Sequence, residues 1–221
     1  MTPLISLLLP THERPVDLRQ TLDSLRATIA DAAAVELLVY QAEGDVATEH
    51  VMTREILQSF WSQVRVLTGP HTGYRGLPRS INALAAASRG DWLFVFADDV
   101  VCDTARWDDV IRHHDHTSPA LLTCQNNRGN SLWFPIISRP AYEAMGVVTL
   151  SQFHDEWLDR VFRRAAPHAV HRSIPAHFTD RIVHTDHLAR LSAAEVRAFD
   201  LGILHAAERL GEAVEALTKG D

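Results

Sequence analysis

The chain has 221 residues, a formal net charge of −7, 46% hydrophobic residues and 22% charged residues. These proportions describe globular material able to bury a core, which argues against a disordered chain. They also argue against a strongly basic face for nucleic acid, and two isolated cysteines, Cys102 and Cys124, exclude a disulfide framework or a cysteine metal site.

The apolar run Leu4 to Leu9, ended by Pro10, predicts a strand buried on both faces. Val16, Leu18, Leu22 and Leu25 then predict an amphipathic helix over Arg14 to Ala27. Val35 to Tyr40 reads as the second strand, Gln41 to Asp45 as a polar loop, and Thr48 to Gln63 as a helix. Val64 to Leu67 is a third strand, followed by a Gly-, Pro- and Thr-rich loop to Gly76. A helix from Leu77 to Ser88 stops before Gly90, and Trp92 to Phe96 is the most strand-like segment of the chain.

Beyond Asp103 the pattern loosens. Trp107 to His114 reads as helix, and residues 121–124 and 132–137 read as strands around a polar loop. Ser138 to Gly146, Asp155 to Arg164 and Leu191 to Leu217 read as helices, the last as one or two. Strand–helix alternation of this kind predicts an α/β fold, with a mostly parallel sheet flanked by helices and C-terminal helices. One domain over residues 1–187 is expected, with 188–221 as its helical extension. No stretch approaches the roughly 18 apolar residues of a membrane span, and Leu4 to Leu9 is too short for a signal-peptide core. A soluble, cytoplasmic protein with no membrane span is expected.

Four segments can carry chemistry. Asp98 and Asp99 follow the most hydrophobic strand, where paired carboxylates suit a hard divalent cation and a diphosphate; as a plain turn they would cap the next segment. Gly76 to Asn82 opens a helix and offers Arg79 and Asn82 to a phosphate or sugar, or simply starts the helix. His154-Asp155-Glu156-Trp157 offers a carboxylate able to deprotonate a hydroxyl, or an acidic helix start. His184-Thr185-Asp186-His187 offers a histidine to a metal shell, or an ordinary surface loop. The arginines at 160, 163, 164 and 172 read as a basic patch or a solvated helix face.

Taken in order, these segments resemble the family 2-like glycosyltransferases with the GT-A (Rossmann-like) fold. Ile5 to Arg14 resembles the family's opening strand and its Pro-Thr-x-Asn-Arg loop, with Glu13 where Asn is common. Glu36 to Asp45 resembles the second strand and its loop to base and ribose, with Gln41 where Asp is usual. Gly76 to Asn82 is similar to the Gly-Leu segment ahead of the metal motif. Gly90 to Asp99 resembles the strand carrying Asp-x-Asp, with Ala97 replacing the first Asp.

The resemblance implies a donor site formed by Pro10, Thr11, Glu13, Arg14, Gln41, Arg79, Asn82 and Asp98. It implies a Mn2+ or Mg2+ ion on Asp99 and His184, and Asp155, or failing that Glu156, as general base. It further implies transfer of a hexose from a UDP- or GDP-sugar, with inversion, to an acceptor that is a small molecule, a glycan, a protein or a modified nucleic acid. A nucleotidyltransferase is the competing enzyme class, disfavoured because no Gly-rich loop with Lys follows the first strand and Lys219 is the only lysine. A nucleotide-sugar-binding protein that has lost catalysis is the competing non-enzyme, motivated by Ala97.

Overall fold

A computed structural model describes residues 2–126, 133–165, 169–180 and 192–219. Among these, β1 (Ile5–Thr11), α1 (Pro15–Thr28), β2 (Val35–Ala42), α2 (Val46–Gln58), β3 (Gln63–Gly69), α3 (Leu77–Ala87) and β4 (Trp92–Val95) alternate regularly. There follow β5 (Val100–Cys102), α4 (Trp107–Arg112), β6 (Ala120–Asn126), β7 (Trp133–Ser138), α5 (Arg139–Met145), α6 (His154–Ala165), β8 (Val170–Asp180) and α7 (Ala193–Lys219).

The strands form one 8-stranded sheet in the order β3-β2-β1-β4-β7-β6-β8-β5. Its first four strands run parallel, as right-handed strand–helix–strand units require. From β4 onward the sheet is mixed: β7 is antiparallel to both β4 and β6, β8 is parallel to β6, and β5 is antiparallel to β8. The α/β fold with a central sheet flanked by helices is as expected, and the sheet departs from that expectation only in being mixed beyond β4.

The continuous apolar runs follow from burial on both faces. On one face Leu7, Leu9, Leu37, Val39 and Phe94 pack against Leu18, Leu22 and Leu25 of α1 and Met52 of α2. On the other, Leu8, Leu38, Leu93 and Val95 meet Ile81 and Leu84 of α3, Trp157 and Phe162 of α6, and Leu210 of α7. The C-terminal segment is one helix, and Ile203, Ala206, Ala207 and Leu210 bury the expected i, i+3, i+4, i+7 stripe.

Helix α2 starts earlier than predicted because Asp45 caps it, accepting from the Thr48 amide at 3.0 Å. It also ends earlier, at Ser59, whose φ of 47° breaks the helix. Strand β8 was not predicted. Its buried residues Ile174, Ala176 and Phe178 alternate with His171, Ser173, Pro175 and His177, so histidine and proline mask the period of two.

At the amino ends of the strands a buried polar knot fixes the register. Glu36 accepts from the Ser6 hydroxyl at 2.6 Å and from the Arg89 amide at 2.6 Å, and the Gly90 amide donates to Ser6 at 2.7 Å. A Cβ on Gly90 would overlap Ser6, so only glycine allows this approach. The arginine-rich face of α6 is a solvated one: Arg160 pairs with Glu156, and Arg163 with Asp159.

Candidate functional site

At the carboxyl ends of the parallel strands lies a cavity of about 530 Å³, where open α/β sheets bind ligands. The loop after β1 supplies Pro10, Thr11, His12 and Arg14; β2 supplies Tyr40 and Ala42; the loop after β3 supplies Pro70 to Tyr74. The first turns of α3 add Leu77, Ser80 and Ile81, the turn after β4 adds Phe96 to Asp99, and the start of α6 adds His154 and Asp155.

The acidic turn is held from below and from the side. The Thr21 hydroxyl on α1 donates to the Asp98 carbonyl at 2.8 Å and accepts from the Val100 amide at 3.1 Å. The Thr11 hydroxyl donates to Asp98 Oδ2 at 2.7 Å. Arg14 Nη1 lies 2.8 Å from Asp99 Oδ2 and 3.4 Å from Asp98 Oδ1. Beneath the turn Phe96 packs among Phe94, Phe134 and Phe178, with centroids 5.0–5.3 Å apart. This apolar bed penalises charge. Burial, only partly offset by Thr11 and Arg14, pushes the Asp98 carboxyl up to about 6. Burial acts to lower the Arg14 guanidinium, but Asp98 and Asp99 outweigh it and hold Arg14 above its ordinary value.

The loop between β1 and α1 is shaped by the second strand's loop. Glu13 has a left-handed φ of 51°, and its amide donates to Asp45 Oδ2 at 2.7 Å. Asn tolerates this conformation better than Glu, which is a backbone reason for Asn to be common there. The Glu13 side chain is 76% exposed, 3.8 Å from the His12 ring, and is not part of the cavity lining. Asp45, tied also to the Thr48 hydroxyl at 2.6 Å, stays below the usual carboxylate range: burial opposes this, and the hydrogen bonds from Thr48 and Glu13 prevail.

Among the residues singled out from sequence, Pro10, Thr11, Arg14, Asp98, Asp99 and Asp155 line the one cavity. Gln41 is buried next to Tyr40 but on the opposite face of β2, its Oε1 without a hydrogen-bond partner among the described residues. Arg79 is exposed on α3 and outside the cavity wall, where Ser80 takes its place. Asn82 is a structural clamp: its Oδ1 accepts from the Val148 and Thr149 amides at 2.8 and 3.2 Å, and its Nδ2 donates to the Thr149 carbonyl at 2.7 Å. That clamp positions the loop leading to Gln152–Asp155. Glu156 is exposed, 2.5 Å from Arg160, and turned from the cavity. His184 lies outside the described residues.

Sequence reading gave no site role to His12, His71, Tyr74 or His154, all of which line the cavity. His12 and His71 stack with ring centroids 3.5 Å apart. Burial lowers the His154 imidazole and keeps it neutral, against the opposing pull of Asp155. The signal for His71 and Tyr74 was their loop, Gly- and Pro-rich and placed directly before a helix that faces the sheet ends.

The donor chemistry of the turn fits a divalent cation. Asp98 and Asp99 present hard carboxylate oxygens at the cavity floor, and Mg2+ or Mn2+ takes its remaining ligands from water and phosphate rather than from a full protein cage. Among the described residues no group of three or more His, Cys, Asp and Glu forms such a cage.

The family model of glycosyl transferase family 2 matches residues 6–175. The chain belongs to glycosyl transferase family 2. The fold is similar to that of S. aureus TarS 1-349 in complex with UDP, with a TM-score of 0.66 and 12% identity over 92% of this chain and 65% of that one. It is similar also to the mannosyltransferase PcManGT from Pyrobaculum calidifontis in complex with GDP-Man and Mn2+, with a TM-score of 0.69 and 13% identity over 98% of this chain and 74% of that one. A longer S. aureus TarS chain is matched over only 37% of its length, so this family 2 chain spans a part of such proteins. No curated protein matches it in sequence. No helix among the described residues is long and apolar enough to cross a membrane.

Proposed function

We propose that this family 2 chain transfers a sugar, a hexose, from a nucleoside diphosphate donor to an acceptor hydroxyl, with inversion and with the help of a divalent cation. The observation that carries the reading is the meeting, in one cavity, of the Arg14–Asp98–Asp99 group with Asp155. The solved relatives bound to UDP, UDP-GlcNAc and GDP-Man support a UDP- or GDP-sugar as donor.

In this reading Thr11, Tyr40 and Ala42 border the nucleoside, while Arg14 neutralises the diphosphate, for which a planar guanidinium is well suited. Asp155 removes the proton from the acceptor hydroxyl, whose oxygen forms a bond to the anomeric carbon as the bond from that carbon to the diphosphate breaks. The electron pair leaves on the diphosphate. Asp98 and Asp99 would hold the cation, which supplies charge neutralisation of that leaving group. Neutral His154 beside Asp155 adds no competing charge. The two cysteines, free and buried, support a reducing cytoplasmic setting.

The test is release of UDP or GDP from a panel of donor sugars with Mn2+, compared between the wild-type chain and Asp99→Ala. Release that disappears in the variant supports transfer. Donor binding with no release in either chain would instead favour the binding-protein reading that Ala97 motivates.

A further inference from the structure

The acidic turn already holds a cation of the chain's own. Arg14 Nη1 bonds to Asp99 Oδ2 and reaches Asp98 Oδ1, so one guanidinium spans both carboxylates. The carboxylate side chains are 10% and 8% exposed, whereas Arg14 is 32% exposed at the cavity edge. Its backbone is fixed between Glu13, bound to Asp45, and Pro15 in the first turn of α1. Its side chain makes no capping bond to α1. Arg14 is therefore anchored at its Cα and, among the described residues, held at its tip by hydrogen bonds to the two carboxylates it shares.

A divalent cation on this turn shares its carboxylates with Arg14, which sits on Asp99 Oδ2 and reaches Asp98 Oδ1. Two cations on one carboxylate repel one another, and the repulsion is strong in the apolar surroundings set by Phe96, Phe134 and Phe178. Without any cation, two adjacent carboxylates over that aromatic bed would repel each other instead. Displaced from Asp99, the guanidinium still borders the cavity, where a diphosphate is a natural partner for its fork of donors.

We propose that Arg14 is a built-in counter-ion that competes with the divalent cation for Asp98 and Asp99 and moves onto the donor's diphosphate when the metal binds, so that metal and nucleotide load together. This rests on reading the cavity as a donor site. It means that metal alone binds weakly, since it must break the Arg14 pair with nothing to replace it. It also means that diphosphate tightens the metal, and by reciprocity the metal tightens the diphosphate.

The test is Mn2+ titration of the full chain followed by electron paramagnetic resonance, with and without UDP or GDP. It uses the wild type, Arg14→Met, and Arg14→Gln as a second uncharged variant in case the first does not fold. Without nucleotide, Mn2+ is expected to bind the uncharged variants roughly tenfold tighter than wild type, as for the loss of a partly buried ion pair. The tightening of Mn2+ by nucleotide is expected to be smaller in the variants than in wild type. Mn2+ affinity that is unchanged or weaker in both variants overturns the proposal, as does an absence of Mn2+ binding in every chain. A failure of the sugar-transfer reading looks different: no nucleoside diphosphate is released from any donor, while the Arg14 variants still bind Mn2+ more tightly.

Discussion

The two halves of the cavity are built on different principles. On the side of β1, β2 and β4, side chains far apart in sequence are cross-linked at the site itself: Arg14 to Asp98 and Asp99, Thr11 to Asp98, and Asp45 to the Glu13 amide. On the side of α6, the wall from Gln152 to Asp155 is positioned from behind, by Asn82 gripping Val148 and Thr149 and by Trp157 and Phe162 in the core. The first half is held by charge and the second by packing and one amide clamp. Damage to the first should therefore appear in ligand binding, and damage to the second in stability and turnover.

The largest break in that comparison is expected from Asp155→Asn. If it is the base, transfer falls about 100-fold or more, while nucleotide binding by calorimetry and the melting temperature stay close to wild type. Equal losses of binding and turnover would place Asp155 in the donor half instead. Next comes Asn82→Leu, which strips three hydrogen bonds from the 148–149 backbone and is expected to cost about 2–3 kcal/mol in denaturant unfolding, with nucleotide affinity spared once the chain is folded. Asp45→Ala removes a helix cap and the support of Glu13 together. A loss of about 1–2 kcal/mol is expected, accompanied here by weaker nucleotide binding because the β1–α1 loop relaxes.

The smallest effect is a matter of pH. The His154 imidazole is held below its ordinary value of 6.5 by burial. In the window below 6.5 the unfolded chain takes up a proton that the folded chain resists, so His154 withdraws stability as pH falls through it. The uncharged His154→Gln variant is expected to lose less melting temperature than wild type between pH 7.5 and 5.5, by roughly 1–3 °C. Parallel curves for the two chains would show that His154 is solvated.

The held-by-charge half was also the more legible from sequence. Leu4 to Leu9, Val35 to Tyr40 and Trp92 to Phe96 are apolar runs that announce buried strands, and each ends in a polar loop that lines the cavity or braces it. The other half was hidden for physical reasons. Strand β8 mixes histidine and proline into its alternation, and β5 is only three residues long. Asn82 looks like a ligand contact in sequence because its partners lie 66 and 67 residues away and are backbone groups, which no side-chain pattern reveals. Glu13 misleads in the opposite way: its importance lies in its φ angle and amide, not in its carboxylate.

The knot of Ser6, Glu36, Arg89 and Gly90 sits at the opposite end of the strands from the cavity. Strand alignment is thereby secured at one pole and chemistry is performed at the other. Residues in the upper loops can therefore be exchanged, and what is bound altered, without letting the strands slip. The lower pole has no such freedom, since any side chain at Gly90 would pry β1 from its neighbours before natural variation could explore a new substrate.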